Sequence, residues 1–351
     1  MTDQQLSSAQ QPPTAATGAT MTGIAQDRYG PAPEDVLRVA QLPVPTIADG
    51  HVLVRMHAAS VDRGTWHVMA GLPYPIRVAG FGLRRPKYAN PGRALAGTVE
   101  AVGDDVSGFS PGDAVYGIGA ASFAEYALAP AGKLAAKPAS LSFAQAAAVP
   151  ISGLTALQAV RDHGRIRPGE QVLVIGASGG VGSFAVQLAK SAGAQVTGVC
   201  STSKVDEVRA LGADHVIDYT REEVTDGPRR YDAILDIGGN RRLSRLRRIL
   251  TLRGRLVIVG GENGGRWLGG TDRQIRARLL SPFVHQQLGT FINKENARDL
   301  NCLREMIDAG TLTAAIDRYC PLDGVPAALR HLIDGHTRGK IVIAVHAAEE
   351  F

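Results

Sequence analysis

The stretch from Gln171 to Gly193, QVLVIGASGGVGSFAVQLAKSAG, constrains the fold of this chain more than any other part. An apolar run that predicts a buried strand leads into a glycine-rich turn, and the turn opens an alanine-rich amphipathic helix. Glycines let a phosphate group approach the backbone closely, and the free N–H groups of a helix N-terminus favour an anion. The spacing Ala177-x-Gly179-x-x-Gly182 departs from the G-x-G-x-x-G dinucleotide fingerprint only at its first position. We therefore predict that the diphosphate of a dinucleotide binds at Ser178, Gly179, Gly180, Val181 and Gly182.

The end of the next predicted strand indicates which dinucleotide is preferred. Folds that bind NAD usually place an Asp or Glu there, about 20 residues past the glycines, to bind the ribose 2′-hydroxyl. This chain reads Cys200-Ser201-Thr202-Ser203-Lys204 instead. Ser201 can donate a hydrogen bond to a 2′-phosphate, Lys204 can pair with it, and Tyr219 at the end of the third strand can reach the same place. The pattern predicts NADPH as the cofactor, with a surface lysine at the start of a helix as the alternative for Lys204.

The pattern of predicted secondary structure changes near Pro150. This change predicts two domains, which agrees with a length of 351 residues. Before Pro150, short strand-like runs alternate with glycine and proline, as in an all-β domain. After it, strands alternate with helices, among them a predicted helix over 241–252 and a strand over 255–259, so we expect a parallel sheet covered on both faces.

The first twenty residues contain no Lys or Arg and no apolar segment. They predict a disordered tail without a signal or transit peptide.

Charge and hydropathy favour a protein that binds neither nucleic acid nor a membrane. The formal net charge is +5. The arginines between Arg241 and Arg255 are interleaved with Leu243, Leu246 and Ile249 at helical spacing, which predicts the solvated face of an amphipathic helix. A nucleic-acid-binding face on that helix is the alternative, and it predicts a steep salt dependence of affinity. No apolar run approaches the roughly 20 residues that a membrane span needs, and three scattered cysteines indicate a reducing, cytoplasmic location.

Several further motifs occur in the order typical of one enzyme family. On these motifs the chain resembles the medium-chain dehydrogenase/reductases, and within them the zinc-independent NADPH:quinone oxidoreductase-like branch. The resemblance runs from about Met21 to Val345 and is carried by Ala58-Ala59-Ser60-Val61-Asp62, Gly92-Arg93-Ala94-Leu95-Ala96-Gly97-Thr98-Val99, Gly112-Asp113-Ala114-Val115, Phe123-Ala124-Glu125-Tyr126, Ser152-Gly153-Leu154-Thr155-Ala156, the 177–182 fingerprint, Leu211-Gly212-Ala213-Asp214-His215-Val216-Ile217-Asp218-Tyr219 and Gly339-Lys340-Ile341-Val342.

The resemblance implies an α/β protein in which a Rossmann domain with a parallel, doubly wound sheet is inserted into a β-rich, GroES-like catalytic domain. The expected boundaries are 21–150 and 292–351 for the catalytic domain and 151–291 for the Rossmann domain, with the active site in the cleft between them. Thr155 resembles the family's contact on the nicotinamide side. Gly238, Gly260 and Phe291 end later Rossmann strands, where open α/β sheets bind ligands, although structural turns explain the glycines equally well. The family also suggests a homodimer formed through Rossmann-domain edges.

Neither metal site of the zinc-dependent relatives is expected here. Those relatives carry Cys where this chain has Asp62 and Gly-His-Glu where it has Gly92-Arg93-Ala94, and they usually carry a four-cysteine lobe that is missing here. Catalytic zinc needs three protein ligands, and neither Arg93 nor Ala94 can serve as one. The sequence therefore predicts no metal.

A reductase of conjugated acceptors is the function that these expectations favour. Hydride addition to a quinone or another α,β-unsaturated carbonyl delocalises negative charge onto oxygen, so the protein mainly positions the reactants. The catalytic candidates are Asp62, where the family often has Asn, and the aromatic residues Trp66 and Tyr74. Asp62 is equally interpretable as a helix cap, and the aromatic residues as core packing. The alternatives are an enoyl-thioester reductase and an NADPH-binding structural or regulatory protein with little turnover.

Overall fold

The computed structural model describes residues 18–261 and 265–346, and its N-terminal part is rich in strands. The tail predicted over residues 1–20 lies outside the described residues as far as residue 17, and Thr20 already belongs to the first strand. The elements of this part are β1 (Thr20–Gln26), α1 (Pro33–Val36), β2 (Leu37–Pro43), β3 (His51–Val61), α2 (Arg63–Ala70), β4 (Ala94–Val102), β5 (Ala114–Ile118), β6 (Tyr126–Pro130), β7 (Leu134–Ala136) and α3 (Phe143–Ala147).

The middle of the chain alternates strands and helices, as predicted. Its elements are α4 (Pro150–Gln158), β8 (Gln171–Ile175), α5 (Gly180–Ser191), β9 (Gln195–Cys200), α6 (Val205–Ala210), β10 (His215–Asp218), β11 (Tyr231–Asp236), α7 (Leu243–Arg248), β12 (Leu250–Ile258), α8 (Gly265–Leu268), α9 (Thr271–Leu280) and β13 (Gln287–Thr290). The remaining elements are α10 (Ala297–Asp308), β14 (Ile316–Pro321), α11 (Val325–Ile333) and β15 (Lys340–Ala344).

The middle strands form a six-stranded parallel sheet in the order β10-β9-β8-β11-β12-β13, which is the doubly wound topology. Strand β8 shows why its sequence is continuously apolar. Successive side chains point to opposite faces, so Val172 and Val174 enter one core cluster while Leu173 and Ile175 enter another. Helices cover both faces, and an alternating polar pattern would leave one face without a core.

The second sheet is built from both ends of the chain. Its strand order is β14-β15-β3-β4-β5-β7, and β6 also pairs with β3. Strand β15 runs antiparallel to β3, with Ile343 opposite Ala59. The C-terminal segment therefore rejoins the β-rich part, as the sequence predicts, and the fold is the expected GroES-like unit beside a Rossmann sheet. The domain boundaries themselves stay a prediction.

The helix predicted over 241–252 is wrong in extent. The helix spans only Leu243–Arg248, and Leu250 already pairs with Tyr231 as the first residue of β12. Leu250 is buried in the core cluster of that sheet face. Its burial through strand pairing outweighs the helical spacing that Leu250 shares with Leu243 and Leu246. The arginines between 241 and 255 therefore do not line one helix face.

Two further properties bear on the predicted surroundings of the protein. In residues 18–261 and 265–346, no helix has the length and apolar character needed to cross a bilayer. All three cysteines fall within the described residues and are free.

Candidate nucleotide-binding cleft

The turn between β8 and α5 has the shape of an anion cradle. Gly176 has a positive φ of +85°, and a Cβ at Gly182 would overlap the Gly176 carbonyl oxygen, so both positions demand glycine. A Cβ at Gly179 would meet only that carbonyl oxygen, at 3.5 Å. Gly179 is the N-cap of the 12-residue α5, and this single ordinary contact leaves room for a methyl group at the helix N-terminus. This open side fits a diphosphate, because free backbone N–H groups and the helix dipole both favour an anion there.

The catalytic-domain side of the cleft reaches this turn through the segment that precedes β15. The Gly339 N–H donates to the Ser178 carbonyl over 2.8 Å. A Cβ at Gly180 would lie 2.8 Å from Lys340 Cδ and 3.1 Å from Ser152 Oγ. The glycine turn thus packs directly on Lys340, a residue that lies far along the chain.

Lys340 is a functional candidate that the sequence analysis missed. Its side chain is buried, at 2% exposure, and Nζ donates to the Val61 carbonyl over 3.0 Å. Burial lowers the pKa of the Lys340 ammonium group, and the nearby Asp62 carboxylate opposes that shift. A buried cation beside a glycine cradle is costly unless an anion balances it. In the sequence, Lys340 stands out only as a member of the Gly339-Lys340-Ile341-Val342 motif, which carries the family resemblance and by itself does not indicate a binding role.

Asp62 caps helix α2 and still has an unused oxygen. Oδ1 accepts a hydrogen bond from the Thr65 N–H over 3.1 Å, so the cap interpretation is confirmed. Oδ2 is buried and has no hydrogen-bond partner among the described residues. An unpartnered buried carboxylate oxygen can accept from a ligand hydroxyl. A site role for Asp62 therefore stays compatible with its role as a cap.

The residues predicted to select a 2′-phosphate gather at the carboxyl ends of β9 and β10. Lys204 Nζ donates to the carbonyls of Gly335 and Thr337, over 3.2 and 2.8 Å. An ammonium group has three N–H donors, so one remains for a ligand. Burial, and then the nearby Arg338, lower the pKa of Lys204. The Tyr219 side chain is 54% exposed at the end of β10.

An acidic residue also lies in this region. Asp218 accepts hydrogen bonds from the hydroxyls of Thr202 and Thr220, over 2.5 and 2.7 Å. Its Oδ2 also lies 3.4 Å from Arg221 Nε. Hydrogen bonding by Thr202 lowers the pKa of Asp218, so the group is a carboxylate at neutral pH. The two hydroxyls and Arg221 therefore engage both oxygens of the Asp218 carboxylate.

Two predicted glycines, Gly238 and Gly260, lie near Gly176 at the carboxyl edge of the Rossmann sheet. A Cβ on Gly176 would lie 2.9 Å from the Gly238 nitrogen, and a Cβ on Gly260 would overlap the Ile237 carbonyl oxygen. Beneath them, the fully buried Asp236 pairs with Arg273 of α9 over 2.5 Å. Burial raises the pKa of Asp236, and Arg273 opposes the shift. This ion pair, which the sequence analysis also missed, fixes α9 beneath the edge.

Three other predicted residues make contacts that explain their local placement. The Trp66 indole N–H donates to the Pro31 carbonyl over 3.1 Å, and its ring packs on the β-rich core. The Thr155 hydroxyl donates to the Ile151 carbonyl of its own helix over 2.7 Å. Phe291 stacks on His163 with ring centroids 4.2 Å apart. Their roles toward substrate or cofactor stay predictions.

Tyr74 differs from these residues because it contacts a segment of the Rossmann half. Its ring meets the Trp267 ring edge-on, with centroids 5.1 Å apart, and its N–H donates to the Arg266 carbonyl over 2.9 Å. Trp267 belongs to α8, which follows the Rossmann strand β12. The two aromatic residues therefore form a contact between the two halves of the protein.

The positions where zinc-dependent relatives bind metal serve other contacts here. Arg93 pairs with Glu295 over 2.6 Å, and Lys133 pairs with the same carboxylate over 2.8 Å. Among the described residues there is no group of three or more His, Cys, Asp or Glu arranged to hold a metal ion. Arg93 thus links the catalytic part to the segment that follows the Rossmann sheet.

Comparison with known protein families agrees with this architecture. Residues 48–139 match the alcohol dehydrogenase GroES-like domain. Residues 211–343 match the zinc-binding dehydrogenase family. The name of the second family refers to zinc. In this chain, Arg93 stands where the zinc-dependent relatives carry a metal ligand, and it pairs with Glu295.

Individual relatives extend the similarity over nearly the whole chain. The chloroplastic quinone-oxidoreductase QR1 of Triphysaria versicolor is 30% identical, covering 93% of this chain and 99% of its own. The mitochondrial NAD(P)H oxidoreductase RTN4IP1 of Mus musculus is 31% identical, covering 95% and 91%. The solved quinone oxidoreductase of Coxiella burnetii superposes with a TM-score of 0.80 at 29% identity, covering 93% of this chain and all of that one.

Proposed function

Because the chain belongs to the medium-chain dehydrogenase/reductases, in their zinc-independent quinone oxidoreductase-like branch, and is an oxidoreductase, we propose that it is an NADPH-dependent reductase of quinones or other α,β-unsaturated carbonyls. The observation that carries the proposal is the glycine turn that is open at Gly179 and backed by the buried cation of Lys340. A dinucleotide diphosphate would add an anion at the helix N-terminus, beside a lysine whose nearby carboxylate is that of Asp62. When bound, reduced nicotinamide supplies a hydride to the conjugated acceptor.

The chain's own residues bind and orient the reactants. The N–H groups at the start of α5 and the Lys340 ammonium group hold the diphosphate. Ser201, Lys204 and Tyr219 hold the 2′-phosphate, which favours NADPH over NADH. The free Oδ2 of Asp62 accepts a hydrogen bond from a ribose hydroxyl. Tyr74 forms the aromatic side of the acceptor pocket, and the proton that accompanies the hydride comes from solvent.

The test combines a binding measurement with an acceptor panel. Purified protein is titrated with NADPH and NADH by fluorescence, and oxidation of NADPH is followed at its absorbance band with quinones, enones and enoyl-CoA. We expect tighter binding of NADPH and turnover with quinones or enones. Turnover with enoyl-CoA alone would instead identify an enoyl-thioester reductase. Binding without turnover across the panel would identify a regulatory nucleotide-binding protein.

Two properties of the whole protein belong to the proposal. A homodimer is expected from the family, and a cytoplasmic location from the free cysteines. The two curated relatives named above carry chloroplastic and mitochondrial names, which describe those proteins.

A further inference from the structure

Two surface segments that contact each other expose an unusual set of side chains. One is the loop after α2, and the other is α8 of the Rossmann half. They meet where Tyr74 contacts Trp267 and where the Tyr74 N–H donates to the Arg266 carbonyl. We call the exposed side chains of these two segments the mouth surface, which comprises Val78, Leu83, Arg84, Arg85, Lys87, Arg266, Trp267 and Leu268.

The apolar members of the mouth surface are strongly exposed. Val78 is 77% exposed, Leu83 67% and Trp267 74%. The loop that carries Leu83 is nevertheless well fixed. Tyr29 Oη donates to the carbonyls of Phe81 and Gly82, over 2.6 and 2.7 Å, and the Lys87 N–H donates to the Phe81 carbonyl over 2.7 Å. Large apolar side chains that a well-fixed loop exposes to water are typical of a surface that binds a partner or a membrane.

The polar members of the mouth surface all carry positive charge. The sequence from residue 63 to residue 99 contains no Asp or Glu, although it contains Arg84, Arg85 and Lys87. None of these three, nor Arg266, forms an ion pair with a residue that the structure describes. The mouth surface therefore combines cations that pair with no described residue with exposed aliphatic and aromatic side chains.

We propose that the mouth surface docks the protein on an anionic lipid bilayer, with the cleft opening toward the lipid. Arginine and lysine beside exposed Leu, Val and Trp is the composition that binds a bilayer interface, where cations meet lipid phosphates and apolar side chains enter the acyl boundary. A soluble anion would account for the cations but not for Val78, Leu83 and Trp267. Docking would deliver a lipid-soluble quinone directly to the cleft. This advantage rests on the proposed function, whereas the docking itself does not.

This contact is peripheral and revises one expectation from the sequence. The prediction of no membrane partner rested on the lack of a spanning segment, and no described helix is able to span a bilayer. Interfacial binding needs no such segment, because a few side chains suffice.

Vesicle sedimentation tests the proposal without requiring turnover. The full chain is mixed with vesicles of phosphatidylcholine alone, or of phosphatidylcholine with phosphatidylglycerol, at low and high salt. We expect binding only to the anionic vesicles. The double variant Arg84→Glu/Arg85→Glu should lower the affinity roughly tenfold or more. The double variant Val78→Ser/Leu83→Ser should lower the affinity for anionic vesicles at low salt and at high salt, because its effect does not depend on charge, which salt screens.

The matched control reverses the same number of arginines elsewhere. Arg242→Glu/Arg248→Glu changes two exposed residues at α7 that do not belong to the mouth surface. Binding of this control like the wild type supports the mouth surface, and an equal loss in the control overturns it. Absence of binding to anionic vesicles by the wild type also overturns it. Reduction of a water-soluble quinone, measured in the same preparations, reports separately on the proposed function.

Discussion

At the scale of single residues, Lys204 and Lys340 have different expected roles toward the cofactor. Lys204 lies where the ribose 2′-phosphate is proposed to bind, with two N–H donors used by the carbonyls of Gly335 and Thr337. Lys204→Ala should weaken NADPH binding about tenfold, which corresponds to about 1.4 kcal/mol, and NADH binding much less. Fluorescence titration with both nucleotides measures this.

The control for Lys204 is a nearby cation that faces solvent. Arg209 pairs with Asp206 over 3.1 Å on the adjoining helix. Arg209→Ala should leave the ratio of the two affinities unchanged. Equal losses of NADPH and NADH binding in Lys204→Ala would refute the assignment of the 2′-phosphate.

Lys340 should instead affect both nucleotides, because both carry the diphosphate. Lys340→Met should weaken NADPH and NADH binding to a similar extent, by about tenfold or more. Burial lowers the pKa of Lys340 below its usual 10.5. The ammonium group therefore loses its proton at a lower pH than a free lysine, and wild-type affinity should fall as pH rises through that pKa. The affinity of the variant should lack this decline, and a selective loss of NADPH binding would contradict the assignment.

At the scale of elements, the β8–α5 turn contains two glycines that should respond differently to the same substitution. A Cβ at Gly182 would overlap the Gly176 carbonyl oxygen. Gly182→Ala should therefore destabilise the fold by roughly 1–3 kcal/mol. Gly179 has open space and a φ of −83°, so Gly179→Ala should change stability by less than about 1 kcal/mol. The added methyl group would enter the proposed diphosphate site and lower nucleotide affinity.

Thermal unfolding and nucleotide titration on both glycine variants separate these effects. A stable Gly179→Ala protein with wild-type affinity would place the diphosphate elsewhere.

At the scale of the whole molecule, the edge of the Rossmann sheet supports the expected homodimer. Strand β13 ends this sheet, and around it Leu279 is 67% exposed, Phe283 85% and Ile292 91%. Exposed large apolar side chains beside an edge strand are typical of an interface between subunits. Light scattering should give twice the mass of one chain. Phe283→Asp/Ile292→Asp should give the mass of one chain with the fold intact, and a monomeric wild type would rule out the dimer.

The two halves of the molecule are also joined by charge contacts that only long-range folding creates. Arg338 pairs with Glu207 over 2.5 Å, and Arg93 and Lys133 share Glu295. The Arg338–Glu207 pair joins the two halves, whereas the pairs with Glu295 join the N-terminal part of the chain to the segment that follows β13. The predicted cleft is thus held by pairs whose members are far apart in the sequence.

The sequence by itself determined the local parts of this protein. Continuous apolar runs such as 171–175 predict strands buried on both faces, and the Ala177–Gly182 spacing predicts a phosphate-binding turn, because period and turn chemistry act within a few residues. The same reasoning failed at 241–252, where a helical spacing of leucines was correct only over Leu243–Arg248. The burial of Leu250 beside Tyr231 depends on a neighbouring strand, which local periodicity does not reveal.

Tertiary structure alone decided which distant side chains meet. The sequence contains Lys340 and Gly180, but only the pairing of β15 with β3 carries that lysine beneath the glycine turn. It likewise contains Asp62, but only folding showed that one oxygen caps α2 while the other stays free. The physical reason is that hydrophobic periodicity is a local property of the chain, whereas burial, charge pairing and pKa depend on which surfaces pack together.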